Sequence, residues 1–400
     1  MTDERLRQEG IRRVQQPFHE KVEAAEVRAH GIVLAGVHRW GGDALERVSC
    51  RPLLPVALRP LVWHVASWMK AGGIQEACIC GNSDTAHLRR VFGDGRALGL
   101  TLKYYEDVMP RGPAGCARDA VGGVTADVFV AAEGSILPRI ELASLVRAHV
   151  SSGAVMTIVV ADSDDGGDLT DSPVEPAGIY VFGPETLRCV PAAGYQDIKE
   201  SLVPHLYRQG ARVETYKVNS GALRRVYGVP SYLATHVWAL QRLAREPAWR
   251  EGMEQRGEAW VDPTARVDAT ARLVGPVLVG PGATIGAGAM LIGPTCIGAS
   301  CRVGARAVLS RSVVWDGCTL GEGAIVDQSI VTESCTVEPG VVVRNTVYTR
   351  QRPATRTLLA RLASYYSSGR RGRDASQATL ARRRVPGDGV LPVRRGAREA

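Results

Sequence analysis

No apolar run in the 400 residues approaches the roughly 18 to 20 positions a helix needs to span a bilayer, which argues against an integral membrane protein. The first 29 residues are charged and polar, without the apolar stretch of a signal peptide, so a cytoplasmic location is expected. Cysteine occurs nine times, an odd number, with no CxxC pair matched by a second, and Cys78-Ile-Cys80 alternates along an apparent strand. That usage reads as small buried hydrophobes in a reducing compartment and argues against a zinc site. A net positive charge is missing from most of the chain. The net +8 is misleading, because from Arg350 onward 13 Arg face only Asp374, Asp388 and Glu399. The tail is strongly basic and the remaining body slightly acidic. Histidine is absent from Trp260 to Ala400.

What is present is a period of six. Aliphatic residues recur at Val261, Val267, Leu273, Val279, Ile285, Leu291, Ile297, Val303 and Leu309. After Trp315 the series loses one residue and restarts at Leu320, continues at Val326, loses another before Val331, and resumes at Val337 and Val343. Six fits neither a helix nor an amphipathic strand, but it fits the coils of a hexapeptide parallel β-helix. Gly280, Gly282, Gly286, Gly288, Gly293, Gly298 and Gly304 then suit the corners, by positive φ or by close backbone approach.

Four hundred residues exceed one core and imply several units. From Gly31 to about Tyr232, apolar strand-like runs alternate with helical stretches, the pattern of an α/β layer on a largely parallel sheet. Strands are expected at 31–35, 77–81, 102–105, 128–132, 155–160 and 179–182, and helices at 60–71, 85–92, 114–121, 140–150 and 232–244. The division predicted is a charged leader (1–29), an α/β domain (30–244), a linker (245–260), the β-helix (261–348) and a basic, largely disordered tail (349–400) in which 356–366 could form a short amphipathic helix.

Leu34-Ala35-Gly36, Arg51-Pro52-Leu53-Leu54-Pro55-Val56, Gly112-Pro113-Ala114-Gly115 and Gly178-Ile179-Tyr180-Val181-Phe182, in this order, resemble motifs of the sugar-1-phosphate nucleotidyltransferases, such as mannose-1-phosphate guanylyltransferases and glucose-1-phosphate adenylyltransferases. Leu34-Ala35-Gly36 resembles the opening of the family's Gly-rich loop, and Arg51-Pro52-Leu53-Leu54-Pro55-Val56 its Lys-Pro-Leu-Leu-Pro-Val, at the family's spacing of fifteen from Gly36. Gly112-Pro113-Ala114-Gly115 resembles the turn that cradles the nucleoside. Gly178-Ile179-Tyr180-Val181-Phe182, Tyr195-Gln196-Asp197-Ile198-Lys199 and Gly228-Val229-Pro230-Ser231-Tyr232-Leu233 match further segments. The resemblance implies a Rossmann-like nucleotidyltransferase domain followed by a left-handed parallel β-helix. It also implies attack of a sugar phosphate on the α-phosphorus of a nucleoside triphosphate, with pyrophosphate leaving.

Two polyanions meet in that reaction, so backbone donors, a cationic clamp and usually Mg²⁺ are needed. The sequence departs from the family on each count. In the loop, Val37, Arg39, Trp40 and Gly41 stand where relatives carry Gly, Gly, Thr and Arg, and a β-branched Val37 resists positive φ. Arg51 replaces the clamp lysine. Ser135 and Arg225 stand nearest the two metal carboxylates, with Glu133 close by, so no metal ligand set is predicted and Mg²⁺ belongs only to an active form. The residues implied in nucleotide binding are Ala35, Gly36, Arg39, Trp40, Gly112, Pro113, Ala114, Gly115 and Glu133, with His38 beside them. Arg51 and Lys199 are the catalytic candidates. Set against this is a plain reading in which Trp40 fills an empty pocket, the arginines pair carboxylates, and Lys199 is a solvated residue at a helix start. His64, His149, His205 and His236 read as structural.

Two functions remain open. One is an enzyme making a nucleotide-activated sugar for polysaccharide assembly. The other is a non-catalytic family member that binds a nucleotide or nucleotide sugar, as a homo-oligomer or with a catalytic paralogue, and regulates it. A hexapeptide acyltransferase is argued against because such enzymes generally use a histidine base between prisms, and there is none to supply it. Nucleic acid is argued against because the body shows no basic groove with interleaved aromatics. The tail suits an anionic membrane surface or an acidic partner.

Overall fold

The computed structural model describes residues 27–36, 44–82, 85–162, 174–246 and 252–350. The leader up to residue 26, the loop 37–43 with His38, Arg39 and Trp40, and the tail from 351, including the expected helix at 356–366, lie outside the described residues.

Nine of the strands and five of the helices organise the first half. The strands are β1 (Ala29–Leu34), β2 (Glu76–Gly81), β3 (Thr101–Glu106), β4 (Val128–Glu133), β5 (Ile136–Pro138), β6 (Met156–Asp162), β7 (Val174–Phe182), β8 (Val213–Val218) and β9 (Leu223–Arg225). The helices are α1 (Leu61–Ala71), α2 (Thr85–Phe92), α3 (Gly112–Ala120), α4 (Leu142–Ser152) and α5 (Val229–Arg245). Seven strands form one sheet in the order β8-β6-β7-β4-β1-β2-β3. It is parallel except for β7, which runs antiparallel to both β4 and β6. The strands are apolar on both faces, as a layer covered by helices on each side requires. Ile32 and Val33 of β1, for example, are fully buried in opposite cores. All six expected strands and five expected helices form, within a few residues of their expected limits. The edge strand β8 and the short ladder of β9 on β5 were not anticipated.

The second half is a three-sided parallel β-helix. Its faces are sheets of seven, five and five strands, the first begun by the hairpin Glu254–Arg256 and Ala259–Val261 in the expected linker. Inside the stack Val261, Val279 and Ile297 lie one above another on one face, Ile285 and Val303 on the second, and Leu291 and Leu309 on the third, each buried and contributing about 1.5–3 kcal/mol. Partner residues are 18 apart in the first coils (Val279↔Ile297) and 17 apart later (Ile297↔Val314, Val314↔Val331). The shortening therefore precedes Trp315 rather than following it. Val314 takes the interior place and Trp315 faces outward. The cause is one corner, where the pair Gly293-Pro294 gives way to single residues at positive φ: Arg311 (46°), Gln328 (46°) and Asn345 (49°). Gly298 has a different reason to be glycine, since an added Cβ would sit 2.6 Å from the Asp316 backbone nitrogen of the next coil.

The outward residues of the first face join the two halves. Along a strand neighbours alternate sides, so Trp260, Leu278, Cys296, Val313, Trp315 and Ile330 project away from the coil interior. Against them α5 presents Tyr232, His236, Ala239, Leu240 and Leu243, an i, i+4, i+7, i+8, i+11 stripe. The Trp315 indole donates to the Tyr232 hydroxyl at 2.9 Å, and that hydroxyl donates to the Pro55 carbonyl. His236 Nε2 also meets the Pro55 carbonyl at 3.0 Å, so removing the hydroxyl orphans only the indole N–H. Tyr232→Phe is expected to cost about 1–3 kcal/mol in urea unfolding, the range for one unsatisfied buried donor; an unchanged midpoint would contradict the bridge.

Of the nine cysteines, all free, seven are buried as expected, whereas Cys50 is partly exposed and Cys189 exposed. Among the described residues no helix is long and apolar enough to cross a membrane.

Candidate functional site

The carboxyl ends of β1, β4 and β2 face the same way, the usual place for a ligand crevice in an open α/β sheet. Three clusters of singled-out residues gather there. In the first, Ala35 follows β1 with its N–H on the Cys80 carbonyl at 2.7 Å, and Gly36 is exposed, with open space where a Cβ would stand. Gly134 closes the cluster from β4, its Cα facing Pro52 and Ala35 so closely that a Cβ would meet them at 3.3–3.4 Å. The Arg51-Pro52 segment thus lies over the turn after β4. Arg51 itself is 14% exposed and pairs with the 6% exposed Glu46, a contact that draws its guanidinium toward the protein.

The second cluster lies at Gly112. This residue opens α3 at φ +73°, and a Cβ there would lie 2.5 Å from the Gln196 carbonyl oxygen. That carbonyl accepts from Ala114 N–H at 3.0 Å and Gly115 N–H at 3.4 Å, while Gln196 N–H donates to the Arg111 carbonyl at 2.7 Å. Amides implied in cradling a nucleoside are therefore engaged by the chain's own backbone. Arg111 is fixed too, donating to Asp119 and to the Pro191 carbonyl, both at 2.9 Å. Beyond Gln196, the Asp197 carboxylate accepts from Lys199 N–H at 2.7 Å and Glu200 N–H at 2.9 Å, capping the short helical segment Ile198–Leu202. Lys199 stands exposed at its start.

The third cluster holds the positions expected to carry metal carboxylates. The β9–β5 ladder pairs Arg225 with Ile136, and Val226 N–H donates to the Ser135 carbonyl at 3.3 Å, so Ser135 and Arg225 are neighbours. Arg225 does not point to Ser135. Its Nη2 lies 3.1 Å from Glu133 Oε2 at the end of β4. That nitrogen is buried and off the line of a hydrogen bond, so the contact is an ion pair without one. Gly178 makes the pair possible: a Cβ there would fall 2.3 Å from Nη2 and 2.7 Å from the Glu133 carboxyl carbon, and its φ is +76°. Tyr227 packs against the guanidinium, its ring centroid 5.8 Å from Cζ. Tyr180, one strand away, has its phenol pushed well above the usual range, by burial first and then by the Glu133 carboxylate. The arrangement does not suit a divalent ion. Serine and a guanidinium occupy the two positions, Glu133 is engaged by a cation, and no cluster of three or more His, Cys, Asp or Glu able to hold a metal occurs among the described residues.

Sequence comparison agrees with the two-part architecture. The Nucleotidyl transferase family model matches residues 44–167, and the model of the GMPPB C-terminal domain matches 273–359. A mannose-1-phosphate guanylyltransferase of Mycobacterium tuberculosis is 27% identical over 270 residues, spanning 62% of this chain and 74% of the relative. The chain belongs to the sugar-1-phosphate nucleotidyltransferase family. Other members similar to it are a UTP–glucose-1-phosphate uridylyltransferase of Synechocystis sp., 25% identical over 284 residues (58% of this chain, 73% of the relative), and a glucose-1-phosphate thymidylyltransferase of Streptomyces antibioticus, 24% identical over 284 residues (62% and 77%). Within this nucleotidyltransferase-family protein, sequence reading overlooked Gln196 as the group capping α3, since a backbone carbonyl leaves no sequence signal. It also missed the Glu133–Arg225 pair, although the glycine at 178 was in view.

Of the histidines read as structural, His64, His149 and His236 are so in their contacts. His64 Nε2 meets the Val56 carbonyl at 2.9 Å and His149 Nδ1 the Thr157 hydroxyl at 2.8 Å, both side chains buried.

Proposed function

We propose that this protein serves nucleotide-sugar metabolism, in exopolysaccharide or cell-wall assembly, by binding a nucleotide or nucleotide sugar without turning it over. The observation that carries the reading is the Arg225–Glu133 ion pair, set where relatives are expected to gather carboxylates around a metal. In-line displacement at an α-phosphorus needs charge neutralised on both the attacking and the leaving oxygens. With Arg51 paired to Glu46 and the first amides of α3 engaged by Gln196, few preorganised groups remain for a developing charge. Binding asks for less. The open space at Gly36 and the cationic residues 39, 51 and 225 suit a phosphate chain, and Trp40 suits a base.

In this reading the protein is a regulatory member of its family, acting as a homo-oligomer or beside a catalytic paralogue. The Arg-rich tail contacts an anionic membrane surface or an acidic partner. The test is a thermal-shift screen of nucleoside triphosphates and nucleotide sugars with and without Mg²⁺, followed by a pyrophosphate-release assay on each hit with the matching sugar phosphate. Stabilisation without release is expected, weakened by Trp40→Ala or Arg51→Ala. Robust Mg²⁺-dependent release would instead make the protein an active sugar-1-phosphate nucleotidyltransferase.

A further inference from the structure

We infer that the Arg225 guanidinium is a resident cation, and that the cleft captures the diphosphate of a nucleotide sugar without any divalent metal. This inference rests on the binding function proposed above and specifies its chemistry. Two carboxylates with one divalent cation carry no net charge, and neither does Glu133 with Arg225. The net charge that an approaching diphosphate meets is therefore the same, although the metal's ligands are gone. A guanidinium also suits phosphate oxygens by its planar fork of donors.

The local structure is built to hold that group in place. Arg225 sits on a two-strand ladder beside Ser135, so its backbone is fixed at the end of β5. Its side chain is 15% exposed, packed by Tyr227 on one side and kept above Gly178, the residue type that leaves it room. Nη2 lies 3.1 Å from Glu133 Oε2 without a hydrogen bond, so a donor is held near the carboxylate but not consumed by it. A buried donor without an aligned acceptor carries a cost that a phosphate oxygen would relieve. Glu133 then acts as a competitor for the guanidinium, the reverse of a metal ligand's role.

That reversal supplies the test. The full-length chain is titrated calorimetrically with GDP-mannose, UDP-glucose and dTDP-glucose, with excess EDTA and again with Mg²⁺. Wild-type affinity is expected to agree within about twofold between the two conditions. Arg225→Gln is expected to weaken binding by at least about tenfold in both, roughly 1.4 kcal/mol. Glu133→Gln, which releases the guanidinium, is expected to bind at least as tightly as wild type. If Arg225→Gln proves unfolded by circular dichroism, the EDTA and Glu133→Gln arms still decide. Binding that disappears with EDTA and returns with Mg²⁺, or is lost in Glu133→Gln, overturns the resident-cation inference but leaves ligand binding standing. No binding in any arm overturns the functional reading and this inference with it.

Discussion

Trp315→Ala is expected to remove about 3–5 kcal/mol of stability, the range for emptying a buried tryptophan site. Trp315 is only 6% exposed although it faces away from the coil interior, because α5 covers it. Its ring lies edge-on to Tyr232, with centroids 6.5 Å apart and planes at 72°, and its indole N–H is hydrogen-bonded to the same residue. The neighbouring Val314 points inward and keeps the coil stack filled. The loss therefore falls on the junction between the α/β layer and the β-helix, not on the β-helix itself. Urea unfolding followed by both tryptophan fluorescence and far-ultraviolet circular dichroism should then show two separated transitions where the wild type shows one. Trp315→Phe keeps most of the packing but not the donor, and should fall between. A single transition with a midpoint free energy within about 1 kcal/mol of wild type would mean that the junction does not depend on this side chain.

Much of this junction is readable in the sequence once the coil is recognised. The sixfold series identifies the inward residues, and strand alternation then turns Trp260, Leu278 and Cys296 outward. Reading failed where two apolar residues were adjacent. Val314 and Trp315 both satisfy the pattern, and only the change of corner at Arg311 decides which one turns in. The edge strand β8 was missed for a related reason: its residues are half-exposed, so burial writes little periodicity into Val213–Val218.

The site was less legible than the fold. Resemblance to the family's motifs singles out Ser135 and Arg225 one by one, and the unanticipated ladder of β9 on β5 brings them together. The motifs could not show that Arg225 turns toward Glu133, since that depends on the missing side chain at Gly178, which is contributed by a third strand. Lys199 illustrates another limit. The motif around it drew attention to the ammonium group, whereas the structure uses its backbone N–H, held by Asp197. Polar chemistry made by backbone groups, as at Gln196, has no letter of its own.

Acid is expected to loosen the junction through His64 and His236. Both rings are buried between α1, α5 and the Pro55–Val56 segment, and each Nε2 faces a carbonyl, which calls for the neutral, Nε2-protonated ring as donor. Burial lowers both pKa values from 6.5 to about 4; for His64 the nearby Arg242 and the second imidazole push in the same direction. The unfolded chain therefore takes up protons at higher pH than the folded one. Above about pH 6.5 there is no penalty; as pH falls from 6.5 toward 4, each histidine costs about 1.4 kcal/mol per pH unit, and below 4 the cost levels off near 3 kcal/mol apiece. If the two act independently, about 4 kcal/mol is lost by about pH 5. Burial also lowers His30 and His149 in the α/β layer, which add to the loss in the same direction. The measurement is the difference in urea midpoint between about pH 7.5 and about pH 5. His64→Gln/His236→Gln retains an amide donor at each site and should flatten that difference by more than half. Equal acid sensitivity in wild type and the double variant would place its source outside this junction.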